Sequence, residues 1–210
     1  VQIKFHLLEK FYLNWINSKW VLDNGTFSPL NSSEIFNQFG TINTPDHIAK
    51  TITEQTTKSI SITNKNSLYA LDFACGTGVF YFQLLNILKK KFKSTSRDIV
   101  KNNLFGIDIN STALDILKTK LFLINKFSFD DLKHVSNNII NKNALIDDIN
   151  FPSSICYKKD FKPVFENGGF NIIVSNPPYV LLKINNKSDN KMVKTFREYN
   201  KKQINSELSY

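Results

Sequence analysis

Residues 68–80 read LYALDFACGTGVF, and this stretch decides the fold. "LYALDF" is a short apolar run that stops at a glycine-rich turn, "CGTG". "VFYFQLLNILKKKF" (79–92) then places apolar residues at helical spacing, with lysines at its C-terminal end. A strand that passes through Gly-x-Gly into a helix lets backbone approach a ligand at the helix N-terminus. The turn departs from the dinucleotide fingerprint, whose third glycine would fall at Tyr81, a residue too bulky for that close contact. NAD is therefore disfavoured.

The alternation continues downstream. "NLFGIDI" (103–109) is a second strand and "NSTALDILKTKLFLINKF" (110–127) a second helix, with Asn110 or Ser111 available as its cap. "FDDLKHV" (129–135) predicts a short helix, "NNIINKNAL" (137–145) a short third strand and its exit, and "FNIIVS" (170–175) a fourth strand. Alternating strands and helices imply an α/β fold with a mostly parallel, doubly wound sheet. A spatial order 3-2-1-4 makes the first and fourth strands neighbours. "CGTG" and "NPPY" (176–179) then lie side by side at one edge, where such sheets bind ligands.

Upstream, "FHLLEKFYLNWINSKWVL" (5–22) carries apolar residues close to a helical stripe. Residues 1–40 are accordingly expected to be an N-terminal helical segment, 41–183 the core, and 184–210 a basic polar tail with a helix around Val193 to Tyr199. "FGTINTPDHIAKTITEQT" (39–56) predicts a helix capped by Thr44, with Pro45 at its first position and Asp46 complementing the dipole. Ile48, Ala49 and Ile52 would share its packed face.

The chain has 210 residues, with 41% apolar and 21% charged, as in soluble globular proteins. Its net charge of +9 suggests an anionic partner, nucleic acid first. The Lys, Asn, Ile and Phe bias of an AT-rich coding sequence would give the same charge with no partner at all. Cys75 and Cys156 show no CxxC spacing, so neither a disulfide framework nor a metal site is expected. A reducing, cytoplasmic compartment fits best. No apolar run is long enough to span a membrane, and no signal-peptide order is present. The first residue is Val1, which suggests a fragment or processed product.

Three stretches carry chemistry. The turn after "LYALDF" suits a ligand with an amino-acid end and a nucleoside but no pyrophosphate. S-adenosylmethionine (AdoMet) is such a molecule, and Asp72 could balance its ammonium group. Asp108, at the end of the second strand, can accept both hydroxyls of a ribose, or serve as a helix cap. In "NPPY" the prolines fix backbone carbonyl directions, Asn176 offers a side-chain acceptor, and Tyr179 offers a flat ring face. Together these can hold an exocyclic amine on a planar substrate. The plainer alternative is a strand ended by a proline turn.

In this combination the residues resemble the DNA N6-adenine methyltransferases of restriction–modification systems, in the type IIG and type I-like subgroup where the AdoMet motif precedes the catalytic one. The resemblance covers roughly residues 38–183. "FGTINTPDHIAKTI", with Thr44, is similar to the family segment near the methionine end of AdoMet. "LDFACGTGVF" resembles the family's "DPACGxGxF", with Phe73 replacing a common Pro. It implies cofactor contacts from Asp72, Ala74, Cys75, Gly76 and Gly78. "GIDIN" implies Asp108 on the ribose with Ile109 beside it. "IINKNALIDD" resembles the adenine-binding segment and implies Asn143, where an Asp often stands, and Ala144. "NPPYV" matches the catalytic motif and implies Asn176, Pro177, Pro178 and Tyr179.

The resemblance implies a Rossmann-like AdoMet-dependent methyltransferase sheet and double-stranded DNA with a flipped adenine as substrate. Tyr179 would stack on the base while Asn176 and the Pro177 carbonyl bind its amino group. A release-factor glutamine methyltransferase fits "VSNPPYV" equally well, although "DFACGTG" and "NTPDHIA" favour the DNA enzymes. A non-catalytic nucleic-acid-binding remnant is a third reading. Family members continue with further strands and a target-recognition domain. The expectation is therefore a truncated or split piece with an incomplete sheet, partnered by a separate specificity subunit or recognition domain. Such a piece would keep AdoMet contacts and lack specific DNA binding and turnover.

Overall fold

Four of the apolar runs pair as one parallel sheet. The computed structural model describes residues 18–23, 26–31, 44–58, 60–61, 64–148, 150, 153–177 and 198–201. By contacts the chain divides into two compact units, Thr44–Pro177 and a second formed by Val1–Asn43 with Pro178–Tyr210.

In the second unit the described backbone is a hairpin of β1 (Ser18–Asp23) and β2 (Thr26–Asn31). The strands are antiparallel, and Ser18 pairs with Asn31 and Asp23 with Thr26. This overturns the helix expected through residues 18–22. That register leaves Asn24-Gly25 as a two-residue connection, the strongest short-range hairpin signal in sequence. The turn chemistry outweighed an apolar spacing that suited a helix. The remaining residues of the expected N-terminal helix lie outside the described residues. In the tail, residues 198–201 are helical, and the rest of the helix expected there is likewise outside.

The unit Thr44–Pro177 carries the strands β3 (Ala70–Asp72), β4 (Leu104–Asp108), β5 (Ile139–Asn141), β6 (Asn143–Asp147), β7 (Ser154–Ile155) and β8 (Ile172–Ile173). Its helices are α1 (Asp46–Lys58), α2 (Val79–Phe92), α3 (Ser96–Asn102), α4 (Ser111–Asn125), α5 (Phe129–Val135), α6 (Tyr157–Asp160) and α7 (Lys162–Glu166). The sheet order is β5-β4-β3-β8, all parallel. This is the expected 3-2-1-4 arrangement of the four main strands. Asn171 fixes β8 beside β3: its Oδ1 accepts from Tyr69 N at 2.7 Å, and its own N donates to Tyr69 O at 2.8 Å. β6 and β7 form a separate parallel pair.

Side chains alternate across the strands, as the pleat requires. Ala70 and Leu104 enter a core with Leu84, Leu88, Leu114 and Leu117 from α2 and α4. Leu71, Phe105 and Ile107 enter the opposite core with Phe161 and Val164. The helix ends are fixed by side chains. Asn110 Oδ1 accepts from Ala113 N to cap α4. Ser128 and Asp131 form a capping box on α5. Asp131 also pairs with Arg97 Nε at 2.8 Å and Lys101 Nζ at 3.0 Å, tying α3 to α5. The Ser128 amide first, and then these cations, hold its carboxyl well below the usual range.

α1 departs from its sequence reading in two ways. Ala49 and Thr53 are its buried residues, while Ile48 and Ile52 are exposed. Its first carbonyl to accept helical bonds is that of Pro45, from Ile48 N and Ala49 N. Pro45 is therefore the cap, and Thr44 lies one residue outside.

Tyr81 occupies the position of the absent third glycine, and it is fully buried. The strand makes room for it. A Cβ built at Gly106 of β4 would stand 3.4 Å from the Tyr81 ring and 3.0 Å from Cys75 Sγ. Close helix–sheet packing is obtained with the glycine on the strand and the bulk on the helix. Gly106→Ala should therefore destabilise the chain by about 1–3 kcal/mol through overpacking. Urea unfolding measures this. Cys75→Ala in the same chain should recover part of the loss, because it removes the atom the new methyl meets.

Candidate functional site at the carboxyl ends of the strands

The expected site residues converge because the strands are parallel. Asp72 is the last residue of β3, Asp108 of β4 and Asn141 of β5, and Asn176 follows β8. All four stand at the same edge. The chain runs from β3 to β4 and β5 on one side and returns to β8 on the other, and this switch in strand order opens the crevice where such sheets take ligands.

Asp108 links two of the loops. Its Oδ2 accepts from Gly76 N at 2.7 Å and its Oδ1 from Asn110 N at 2.8 Å. Its backbone carbonyl accepts from Lys142 N at 3.1 Å and Asn141 Nδ2 at 2.9 Å. Burial raises its pKa, and the Asn110, Gly76 and Ile109 amides oppose that rise. Asn110, not Asp108, caps α4. The glycine turn closes with Gly78 N donating to Cys75 O at 2.7 Å and Cys75 N to Ile107 O at 2.9 Å. Gly76 has φ +50°, and a Cβ there would meet nothing nearer than Asp108 Oδ2 at 4.0 Å. Gly78, at φ +99°, also has Phe82 ring atoms 3.0 Å from where a Cβ would stand. The first glycine thus leaves open space, and the second is demanded by both conformation and packing.

Asp72 is 1% exposed. Its Oδ1 accepts from Ala74 N at 3.4 Å. Burial pushes its pKa up to about 7, although the Ser175 hydroxyl and the Ala74 and Tyr81 amides favour the anion. Neither Asp72 Oδ2 nor Ser175 Oγ completes a hydrogen bond of good geometry among the described residues. A buried carboxylate oxygen without a partner suits a cationic or hydrogen-donating ligand.

The other expected residues divide by backbone and side chain. Cys75 is buried, and its thiol is pushed up by burial, so only its backbone can reach a ligand. Ile109 is 43% exposed beside Asp108, an apolar surface at the crevice. Asn143 is buried and its Oδ1 accepts from Leu145 N at 3.0 Å. Ala144 is half-buried against the Phe105 core. Asn176 is half-buried and its Nδ2 donates to Thr44 Oγ1 at 2.9 Å. Pro177 is exposed. Pro178 and Tyr179 lie outside the described residues.

Three supporting residues escape sequence reading. Lys120 of α4 donates to Thr77 O at 3.0 Å and stands 5.1 Å from the Phe82 ring centroid, bracing the glycine turn. Ser175 faces Asp72. Tyr157 OH donates to Ala144 O at 3.0 Å, and burial pushes its pKa up to about 12. Only Ser175 left a signal, as the polar residue ending an apolar strand before a motif.

This architecture defines a Rossmann-like α/β domain with an acid at the ends of its first two main strands. The chain belongs to the Eco57I restriction-modification methylase family, whose profile matches residues 102–209. Over 146 residues, 68% of its length, it is 32% identical to the type II restriction enzyme and methyltransferase RM.BcgI of Heyndrickxia coagulans. Over 119 residues, 57% of its length, it is 26% identical to the type I restriction enzyme MpnII methylase subunit of Mycoplasma pneumoniae. It spans 18% of the length of each of these relatives. The fold is similar to a chain in the cryoEM structure of a DrdV–DNA complex, with a TM-score of 0.53 and 18% identity, over 84% of this chain and 17% of that one.

Two outcomes follow. Asp108→Ala leaves the Gly76 and Asn110 amides without their acceptor and should cost about 1–3 kcal/mol in denaturant unfolding. Asp72 binds its proton more tightly folded than unfolded, so stability should fall as pH rises from about 4 to about 7. Asp72→Asn should remove that decline, worth on the order of 4 kcal/mol across the window.

Proposed function

We propose that this chain forms the AdoMet-binding and catalytic part of a restriction–modification enzyme that methylates N6 of adenine in DNA. One observation carries the reading: the buried Asp72 carboxylate with an unpartnered oxygen ends the strand that neighbours the one leading into Asn176-Pro177. A cation site and an amine-acceptor site on adjacent strands suit a sulfonium methyl donor and an amine that receives the methyl. The family membership supports the methylase reading, and the net charge of +9 suits a polyanionic substrate.

The residues fit AdoMet. Asp72 would hold the ammonium group, the space over Gly76 would admit the ligand next to backbone, and Asp108 would accept from the ribose hydroxyls. Each Asp108 oxygen already accepts one amide and keeps a further lone pair for this. Ile109 would line the adenine. When bound, AdoMet supplies an electrophilic methyl group on a sulfonium.

The chain's own residues would prepare the other reactant. A flipped adenine would offer its N6 hydrogens to the Asn176 side-chain carbonyl and the Pro177 carbonyl, with Tyr179 of the motif against its ring. Accepting those hydrogens concentrates the lone pair on N6 and draws it out of conjugation. Fixed acceptors and orientation supply the catalysis, with no strong base required. A separate subunit or domain would read the DNA sequence.

The test is methyl transfer from labelled AdoMet to unmethylated DNA by the whole gene product containing residues 1–210. The product should be N6-methyladenine, and Asn176→Ala should lower the rate by at least about 100-fold. Label in a release-factor glutamine and none in DNA would overturn the reading. Calorimetry gives a second check. AdoMet binding would displace the Asp72 proton, so affinity should rise with pH up to about 7 and level off above it. Asp72→Asn should bind more weakly and lose that dependence.

A further inference from the structure

Thr44 precedes α1 as a cap in the sequence reading, but its hydroxyl has another partner. Pro45 O, not Thr44, starts the helix by accepting from Ile48 N at 3.0 Å and Ala49 N at 3.1 Å. Thr44 Oγ1 accepts from Asn176 Nδ2 at 2.9 Å, bridging positions 132 residues apart in sequence. Both residues are half-buried, so water competes weakly for the bond.

A carboxamide is nearly symmetric in shape and opposite in polarity at its two ends. With its oxygen forward it accepts from an amine, and with its nitrogen forward it repels one. The prolines that follow fix the backbone around Asn176 but leave the flip of its side chain undetermined. We propose that Thr44 is a positioning residue, whose hydroxyl takes the Asn176 NH2 and so presents the Asn176 carbonyl to the substrate amine. This rests on the functional reading above. It assigns Thr44 to the acceptor side of the reaction, not to the cofactor. Thr44, just outside α1, thereby holds a side chain that follows a strand remote in sequence.

The test compares Thr44→Val, which keeps the shape and loses the hydroxyl, with Thr44→Ser, which keeps the hydroxyl. Thr44→Ala stands in if the valine variant fails to fold. In nitrogen-15 spectra, one Asn176 carboxamide proton should be shifted downfield and slow to exchange in the wild type and in Thr44→Ser. In Thr44→Val it should lose both properties. Calorimetry should give the same AdoMet affinity for all variants, within about twofold. In the whole gene product, Thr44→Val should lower kcat for DNA methylation roughly tenfold to a hundredfold, with KM for AdoMet unchanged, and Thr44→Ser should restore it. Unchanged carboxamide signals in Thr44→Val, with AdoMet binding weakened tenfold or more, would overturn the proposal and return Thr44 to the cofactor. Full kcat in Thr44→Val or Thr44→Ala would also overturn it. A wild type that binds no AdoMet would overturn the functional reading itself, an outcome the carboxamide signals do not report.

Discussion

The Asp108 carboxylate is the constraint on which the site depends. A buried acid is costly unless donors surround it, and here the donors are backbone amides from two different loops. One is the glycine turn after β3 and the other leads into α4. Satisfying the acid therefore fixes the separation of the two loops. Its own carbonyl then gathers the exit of β5. Three strand ends are registered through one residue, without an ion pair from any lysine or arginine among the described residues.

Asp72 is built on the opposite plan. It lies deeper, 1% exposed, and its amide and hydroxyl neighbours leave one oxygen without a hydrogen bond among the described residues. One acid is satisfied by the fold and stiffens it. The other is buried without that support. The sheet places the two acids at the ends of adjacent strands.

Much of this was legible in sequence, for reasons that differ by element. The period of α2 was clear because its buried face, Phe80, Tyr81, Leu84, Leu85 and Leu88, is uninterrupted. The order of the four main strands followed from the doubly wound sheet that alternation of strands and helices implies. The convergence of Asp72, Asp108 and Asn176 then followed from geometry. The hairpin at 18–31 was hidden because aromatic and aliphatic residues there also fit a helical stripe. The buried face of α1 was misjudged because Thr53 hides its hydroxyl on Ala49 O and packs inward, which apolar counting does not register. Lys120 and Tyr157 were invisible, since a long side chain that answers a distant carbonyl leaves no local pattern.

The exchange of bulk between Tyr81 and Gly106 reaches beyond this chain. Loop motifs treat the glycines between a strand and the following helix as a complete statement of how closely the two approach. Here half of the statement is written on the next strand. A side chain at residue 106 would meet Cys75 Sγ at 3.0 Å and the Tyr81 ring at 3.4 Å. A chimaera that joined the turn and helix of this protein to the second strand of a relative bearing a larger residue would meet a collision. The reverse exchange would leave a void. The limit on such exchanges lies in the interior of the sheet, behind the loops where the motifs are recognised.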